Sequence, residues 1–157
     1  MHYELCGMVA TPDVLAGVPV RHPAARLVSL EQGLALVPVT DELVASLPDE
    51  GPGPPESGFR RLTGAVLGVL TLISLVGPVA YLEADYWGRS GWQTAAVWYH
   101  GTIVLGPCLL GEREPFPETG GGPIGAALRR VGAVRVGRRD EFVASGLGRC
   151  RSTGEWR

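Results

Sequence analysis

The sequence predicts an α+β fold: a mainly antiparallel sheet with one long buried helix packed on a face, and short additional helices. Three observations carry that expectation. Residues 62–82 hold no charge and are interrupted by Gly77-Pro78. Two strand-like runs, VAYLEADYW and WQTAAVWYH, flank Gly88-Arg89-Ser90-Gly91. Two further apolar runs, within RLVSLEQGLALVPVT, flank Glu31-Gln32-Gly33 and read as a hairpin.

The charge-free run is long enough to raise the question of a membrane span. Gly77-Pro78 argues against one, because the residue before proline is disfavoured in the helical region and glycine is a common helix stop. A helix over 59–76 is about 27 Å long, and its charge-free part about 22 Å, against about 30 Å of hydrocarbon. Its less apolar residues also fall on one stripe, Arg60, Gly64, Gly68, Thr71 and Ser74. Phe59, Leu62, Val66, Val69, Leu70 and Ile73 lie toward the other side, as in a helix facing a core. Gly64-x-x-x-Gly68 matches a membrane dimerisation spacing and equally a close backbone approach.

The remaining elements follow in order. Tyr3 to Ala10 reads as a first strand, and Thr11-Pro12-Asp13 as the start of a short helix. TDELVASL (40–47) opens with a capping residue and reads as another. Residues 48–58 form a Pro/Gly-rich linker. In the central hairpin a four-residue loop sets Trp87 opposite Trp92, Asp85 opposite Thr94, Glu83 opposite Ala96 and Tyr81 opposite Trp98. All of these share one face. The opposite face, Ala80, Leu82, Ala84 and Tyr86 with Gln93, Ala95, Val97 and Tyr99, is small and apolar and suits the 59–76 helix. His100-Gly101 turns the chain into a further strand, with Ile103 and Leu105 on the Trp98 side. Residues 111–123 read as an irregular loop, PIGAALRRVG as a short helix, and RRDEFVASG as a turn or two more. Trp156 is placed to dock back near the end of the chain.

Composition bounds the functional classes. The chain has 157 residues, which suits a single domain over 1–157. Its net charge of -2 speaks against nucleic-acid binding. All 14 basic residues are arginine, with no lysine and no asparagine, the mark of a GC-rich bacterial genome. The three cysteines, Cys6, Cys108 and Cys150, form no C-x-x-C pair, so reduced thiols in a cytoplasmic protein are expected and zinc is not. The N-terminus lacks the pattern of a secretory signal.

Few residues point to chemistry. Glu83 and Asp85, two apart on one strand face, could hold a hard metal ion or share acid/base work if His100 or Asp140 joined them. Otherwise they make a solvent-facing acidic strand. His2, His22 and His100 stand without an evident carboxylate companion, and no serine lies in a nucleophile-elbow context. Gly120-Gly121-Gly122-Pro123 precedes a helix but lacks the Lys-Ser/Thr of a phosphate loop. The five arginines of RRVGAVRVGRR (129–139) suit an anion or a solvated face. The gathering of Tyr81, Trp87, Trp92 and Trp98 around Glu83 and Asp85 is more distinctive. It reads either as a second core layer or as an exposed aromatic–acidic binding patch.

The segments GPVAYLEADYWGRSGWQTAAVW, GGPIGAALRRVG and DEFVASGLGRCRSTGEW resemble small single-domain bacterial proteins of the high-GC actinobacterial type, over about the last hundred residues. That resemblance implies no activity and no catalytic residue. In size, acidity and irregular α+β layout such proteins are similar to immunity proteins of toxin systems. The expected function is therefore a non-enzymatic cytoplasmic protein-binding domain, neutralising a basic toxin domain through Tyr81, Glu83, Asp85, Trp87, Trp92 and Trp98. No catalytic residue, metal or cofactor is expected, and a membrane is not the expected partner. The alternative is a small metal-dependent hydrolase using Glu83 and Asp85.

Overall fold

The computed structural model describes residues 1–115 and 122–157. Six strands form one antiparallel sheet: β1 (His2–Ala10), β2 (Val28–Ser29), β3 (Ala35–Pro38), β4 (Val79–Trp87), β5 (Ser90–Tyr99) and β6 (Thr102–Leu110), in the order β2-β3-β1-β4-β5-β6. Residues 48–58 thus join two halves that share a sheet, because β1 pairs with β4 along its length, from His2 opposite Trp87 to Val9 opposite Ala80. The expected hairpin at 26–40 is β2–β3, turning through Gln32 and Gly33, both at positive φ.

Among the described residues six α-helices lie on or around the sheet: α1 (Pro12–Leu15), α2 (Gly17–Arg21), α3 (Asp41–Ser46), α4 (Gly64–Ile73), α5 (Pro123–Arg130) and α6 (Glu141–Ser145). The expected starts of α1, α3, α5 and α6 are supported locally. Proline occupies the first turn of α1 and α5. Thr40 Oγ1 accepts the Leu43 N–H at the start of α3, and Asp140 Oδ1 accepts the Val143 N–H at the start of α6.

The long helix over 59–76 is not formed; α4 has 10 residues. Two local bonding preferences shorten it. Thr63 Oγ1 accepts the Val66 N–H and caps the helix there, while residues upstream are held in other pairings: the Leu62 carbonyl accepts the Gly53 N–H. At the other end the Ser74 hydroxyl donates to the Thr71 carbonyl and accepts the Gly101 N–H, so Ser74 ties the helix end to the β5–β6 turn. Ser74 is accordingly buried rather than part of an outer stripe. No helix among the described residues is long and apolar enough to cross a membrane.

Helix α4 also lies on the other face from the one expected. Val66, Leu70 and Ile73 bury against Met8, Val37, Tyr81, Ala96 and Trp98, each contributing about 1.5–3 kcal/mol. The small-residue face is covered instead by α5, through Ile124, Ala127 and Leu128, together with Leu147 and Trp156. Both sides of the sheet are therefore core. Strand alternation identifies which residues share a face, but not which covering element lands on it.

The central hairpin closes through two residues, Gly88-Arg89, with Trp87 opposite Ser90. Gly88 has φ +61, as a tight turn with glycine in its first loop position requires. The observed partners are Asp85–Trp92, Glu83–Thr94, Tyr81–Ala96 and Val79–Trp98, a shift of two from the four-residue loop. An even shift leaves every side chain on its expected face. In β6, Ile103 pairs with Trp98, but a register shift sets Leu105 opposite Val97, and Leu105 packs with the α5 layer.

Candidate functional site

The face that carries the tryptophans divides into a covered half and an open half. His2, Glu4, Cys6 and Met8 of β1 lie beside Trp87, Asp85, Glu83 and Tyr81 of β4, and β5 adds Trp92 and Trp98. Helix α4 and residues 59–62 roof the half nearest Gly77-Pro78. The hairpin end is left to solvent.

In the covered half Glu83 is fully buried. Its Oε1 accepts the Arg60 backbone N–H at 2.8 Å, and the Arg61 N–H is shared between Oε1 at 3.2 Å and Oε2 at 3.1 Å. Its Oε2 accepts the Tyr81 hydroxyl at 2.8 Å, and Tyr81 Oη lies 3.2 Å from Cys6 Sγ. Burial lifts the Glu83 carboxyl above its ordinary value, against the pull of these donors. The same burial, with Glu83 beside it, pushes the Cys6 thiol up to about 12 and holds Tyr81 well above the usual phenol range. The rings pack closely: Phe59 lies edge-on to Tyr81 at 4.9 Å, and Tyr81 edge-on to Trp98 at 6.4 Å. Glu83 is therefore not on a solvent-facing strand but is the anchor of the 60–61 backbone. Tyr81 and Trp98 are core.

The open half holds Asp85 and Trp87. Trp87 is 66% exposed, and its ring stacks on His2 at 4.2 Å with 12° between planes. Asp85 Oδ1 lies 2.7 Å from His2 Nε2, so His2 does have a carboxylate companion. Trp92 is nearly buried, with the Arg60 guanidinium 4.0 Å above its ring. Arg60 in turn reaches Glu112 at 3.7 Å. Arg60, Asp85, Trp87, Trp92 and Glu112 line an open cleft of about 360 Å³.

Sequence reasoning missed His2, Arg60 and Glu112. His2 carried a readable signal, since it alternates with Glu4 and Cys6 on one strand face, but only the β1–β4 pairing makes that face the one with Trp87. Nothing local announced Arg60 or Glu112.

The other candidates are dispersed. His100 sits in the β5–β6 turn at φ +52 against Tyr99, and Asp140 caps α6. Glu83 and Asp85 have separate partners. Among the described residues no three His, Cys, Asp or Glu side chains are grouped to hold a metal ion. Gly122 caps α5, while Gly120 and Gly121 of the glycine run lie outside the described residues. Within the arginine run, Arg129 pairs with the buried Glu141 at 3.3 Å.

No family model, curated protein or solved structure matches this chain.

Proposed function

We propose that this chain is a non-enzymatic protein-binding domain of immunity type, which engages a basic protein partner through the hairpin end of its sheet. The exposure of Trp87, in a molecule whose other three tryptophans are covered, carries the reading. A stacked indole has little rotamer freedom left to lose, so it gives contact area at low entropic cost. Asp85 beside it supplies negative charge, and the arrangement of Arg60 over Trp92 illustrates within the chain how a partner's guanidinium would lie on Trp87. Neutralisation of a toxin by surface complementarity requires no catalytic group. The metal-dependent hydrolase reading loses its support where Glu83 is committed to backbone N–H groups.

The test is capture from the native host by wild type, Trp87→Ala and Asp85→Asn, followed by co-expression of any captured partner. A partner lost by Trp87→Ala, and whose toxicity the wild type suppresses, supports the proposal. An unchanged set of partners rejects this surface.

A further inference from the structure

The sheet's other face carries a cavity at the same end. It has a volume of about 790 Å³, within the range of small-molecule sites. Its walls are Tyr3 of β1, Ala84 and Tyr86 of β4, Ile124 of α5 and Phe142 of α6. Small residues also line it: Ala84 on the strand, Gly125 on the helix and Gly148 on the following loop. The pocket is half open to solvent, and a cleft of this size walled by three aromatic rings is a feature to be explained.

The walls are fixed in advance. Gln93, almost fully buried, accepts the Ile124 N–H at 2.9 Å and donates to Tyr86 Oη at 3.2 Å, which ties the start of α5 to the strand and sets the Tyr86 ring. Tyr3 donates to the Leu147 carbonyl at 3.2 Å and meets Phe142 edge-on at 5.5 Å. Charge at the rim is mainly positive. Arg89 and Arg151 both line the cavity, and among the described residues neither guanidinium has an ion-pair partner. The carboxylate that also lines it, Asp140, is engaged as the cap of α6.

We infer that this cavity binds a small aromatic carboxylate. Its ring lies among Tyr3, Tyr86 and Phe142, and its carboxylate meets Arg89 and Arg151 at the rim, where guanidinium groups match carboxylate geometry. The aromatic walls are on the opposite side of the sheet from Trp87; His2, which stacks on that indole, also lines the cavity, so the Arg89→Ala/Arg151→Ala readout, which touches neither residue, is what separates this proposal from partner binding.

The experiment is a ¹H–¹⁵N titration of the full chain with 2-naphthoate and, separately, with its neutral analogue 2-naphthamide. Saturable shifts at the amides of Ala84, Gly125 and Gly148 are expected, with the carboxylate binding about tenfold or more tightly than the amide. The double variant Arg89→Ala/Arg151→Ala changes only exposed side chains, so its fold is expected to be intact. It should remove the preference for the carboxylate and leave amide binding in place. No saturable shift with either compound, shifts located elsewhere, or equal affinity for the two in the wild type would each overturn the inference.

Discussion

Glu83 Oε1 accepts the Arg60 N–H at 2.8 Å and shares that of Arg61 with Oε2, at 3.2 and 3.1 Å, so a carboxylate on β4 fixes the backbone that leads into α4. Removing it leaves two N–H groups without an acceptor in the interior and leaves the Tyr81 hydroxyl only Cys6 Sγ. Glu83→Ala is expected to cost about 3 kcal/mol or more by urea unfolding. Glu83→Gln keeps one oxygen for the Arg60 N–H and for one leg of the shared Arg61 N–H, loses the other leg, and lets Tyr81 turn its proton toward Cys6 Sγ; about 1 kcal/mol is expected. Equal losses in the two variants would show that Glu83 fills space and does not hold the 60–61 backbone.

The same residue sets a pH dependence of unusual sign. Burial raises the Glu83 carboxyl above its ordinary value, so the folded chain keeps this proton to higher pH than the unfolded chain. The contribution is full below the unfolded value and is lost as pH rises through the folded one. The stability of wild type relative to Glu83→Gln should therefore decline from about pH 4 upward. Urea unfolding of both proteins across that range tests this, and a relative gain for wild type with rising pH would contradict it.

The three cysteines should separate by reactivity. Cys6 is buried with its thiol pushed up to about 12, whereas Cys108 and Cys150 are partly exposed. Thiolate is the reactive form. Ellman's reagent at pH 8 should label Cys108 and Cys150 in the native protein and Cys6 only after denaturant is added. Labelling of Cys6 at the rate of the other two in native protein would mean that the Tyr81 network opens readily.

Most of the elements, though not α2, and which residues share a strand face were legible in the chain, because period-two alternation, capping threonines and Gly/Pro punctuation act over a few residues. The extent of α4 was not. Phe59 to Leu62 continue its apolar pattern, yet Thr63 captures the Val66 N–H and Glu83, distant in sequence, captures residues 60 and 61. Nor did the sequence reveal that Tyr81 and Trp98 belong under α4 while Trp87 does not. Both sheet faces are apolar enough to need a cover, and only the distance along β4 from Gly77-Pro78 separates the roofed indole from the open one. The pairing of His2 with Asp85 likewise depends on β1 lying beside β4, which no local pattern encodes.

Ser74 joins two elements that local sequence treats as independent. Its hydroxyl donates to the Thr71 carbonyl and accepts the Gly101 N–H, and its own carbonyl accepts the His100 N–H. Ser74→Ala keeps the carbonyl bond and strands the Gly101 N–H. A loss of about 1–3 kcal/mol is expected, and faster hydrogen exchange at Gly101 than at other turn amides would locate it. Unchanged exchange at Gly101 would refute the tie.

The hairpin end offers the sharpest contrast between two glycines. A Cβ on Gly91 would collide with the Asp85 carbonyl and with the backbone and ring of Tyr86. Gly91 lies opposite Tyr86 across the β4–β5 pairing, so relief requires moving either the strand or the ring that walls the cavity. A Cβ on Gly88 meets nothing within 4 Å, but the residue sits at φ +61. Gly88→Ala should therefore cost about 1–2 kcal/mol, the penalty of a left-handed residue with a side chain. Gly91→Ala meets packed backbone as well and should cost about 2–3 kcal/mol. It should also broaden the Tyr86 ring resonances and weaken any capture that depends on Trp87, since Asp85 and Trp87 flank the disturbed position. Thermal unfolding and ¹H–¹³C aromatic spectra of the two variants decide the matter. A larger loss at Gly88 than at Gly91, or an undisturbed Tyr86 in Gly91→Ala, would mean that the hairpin end is soft enough to absorb a methyl group, and a soft end could not present Trp87 as a fixed anchor.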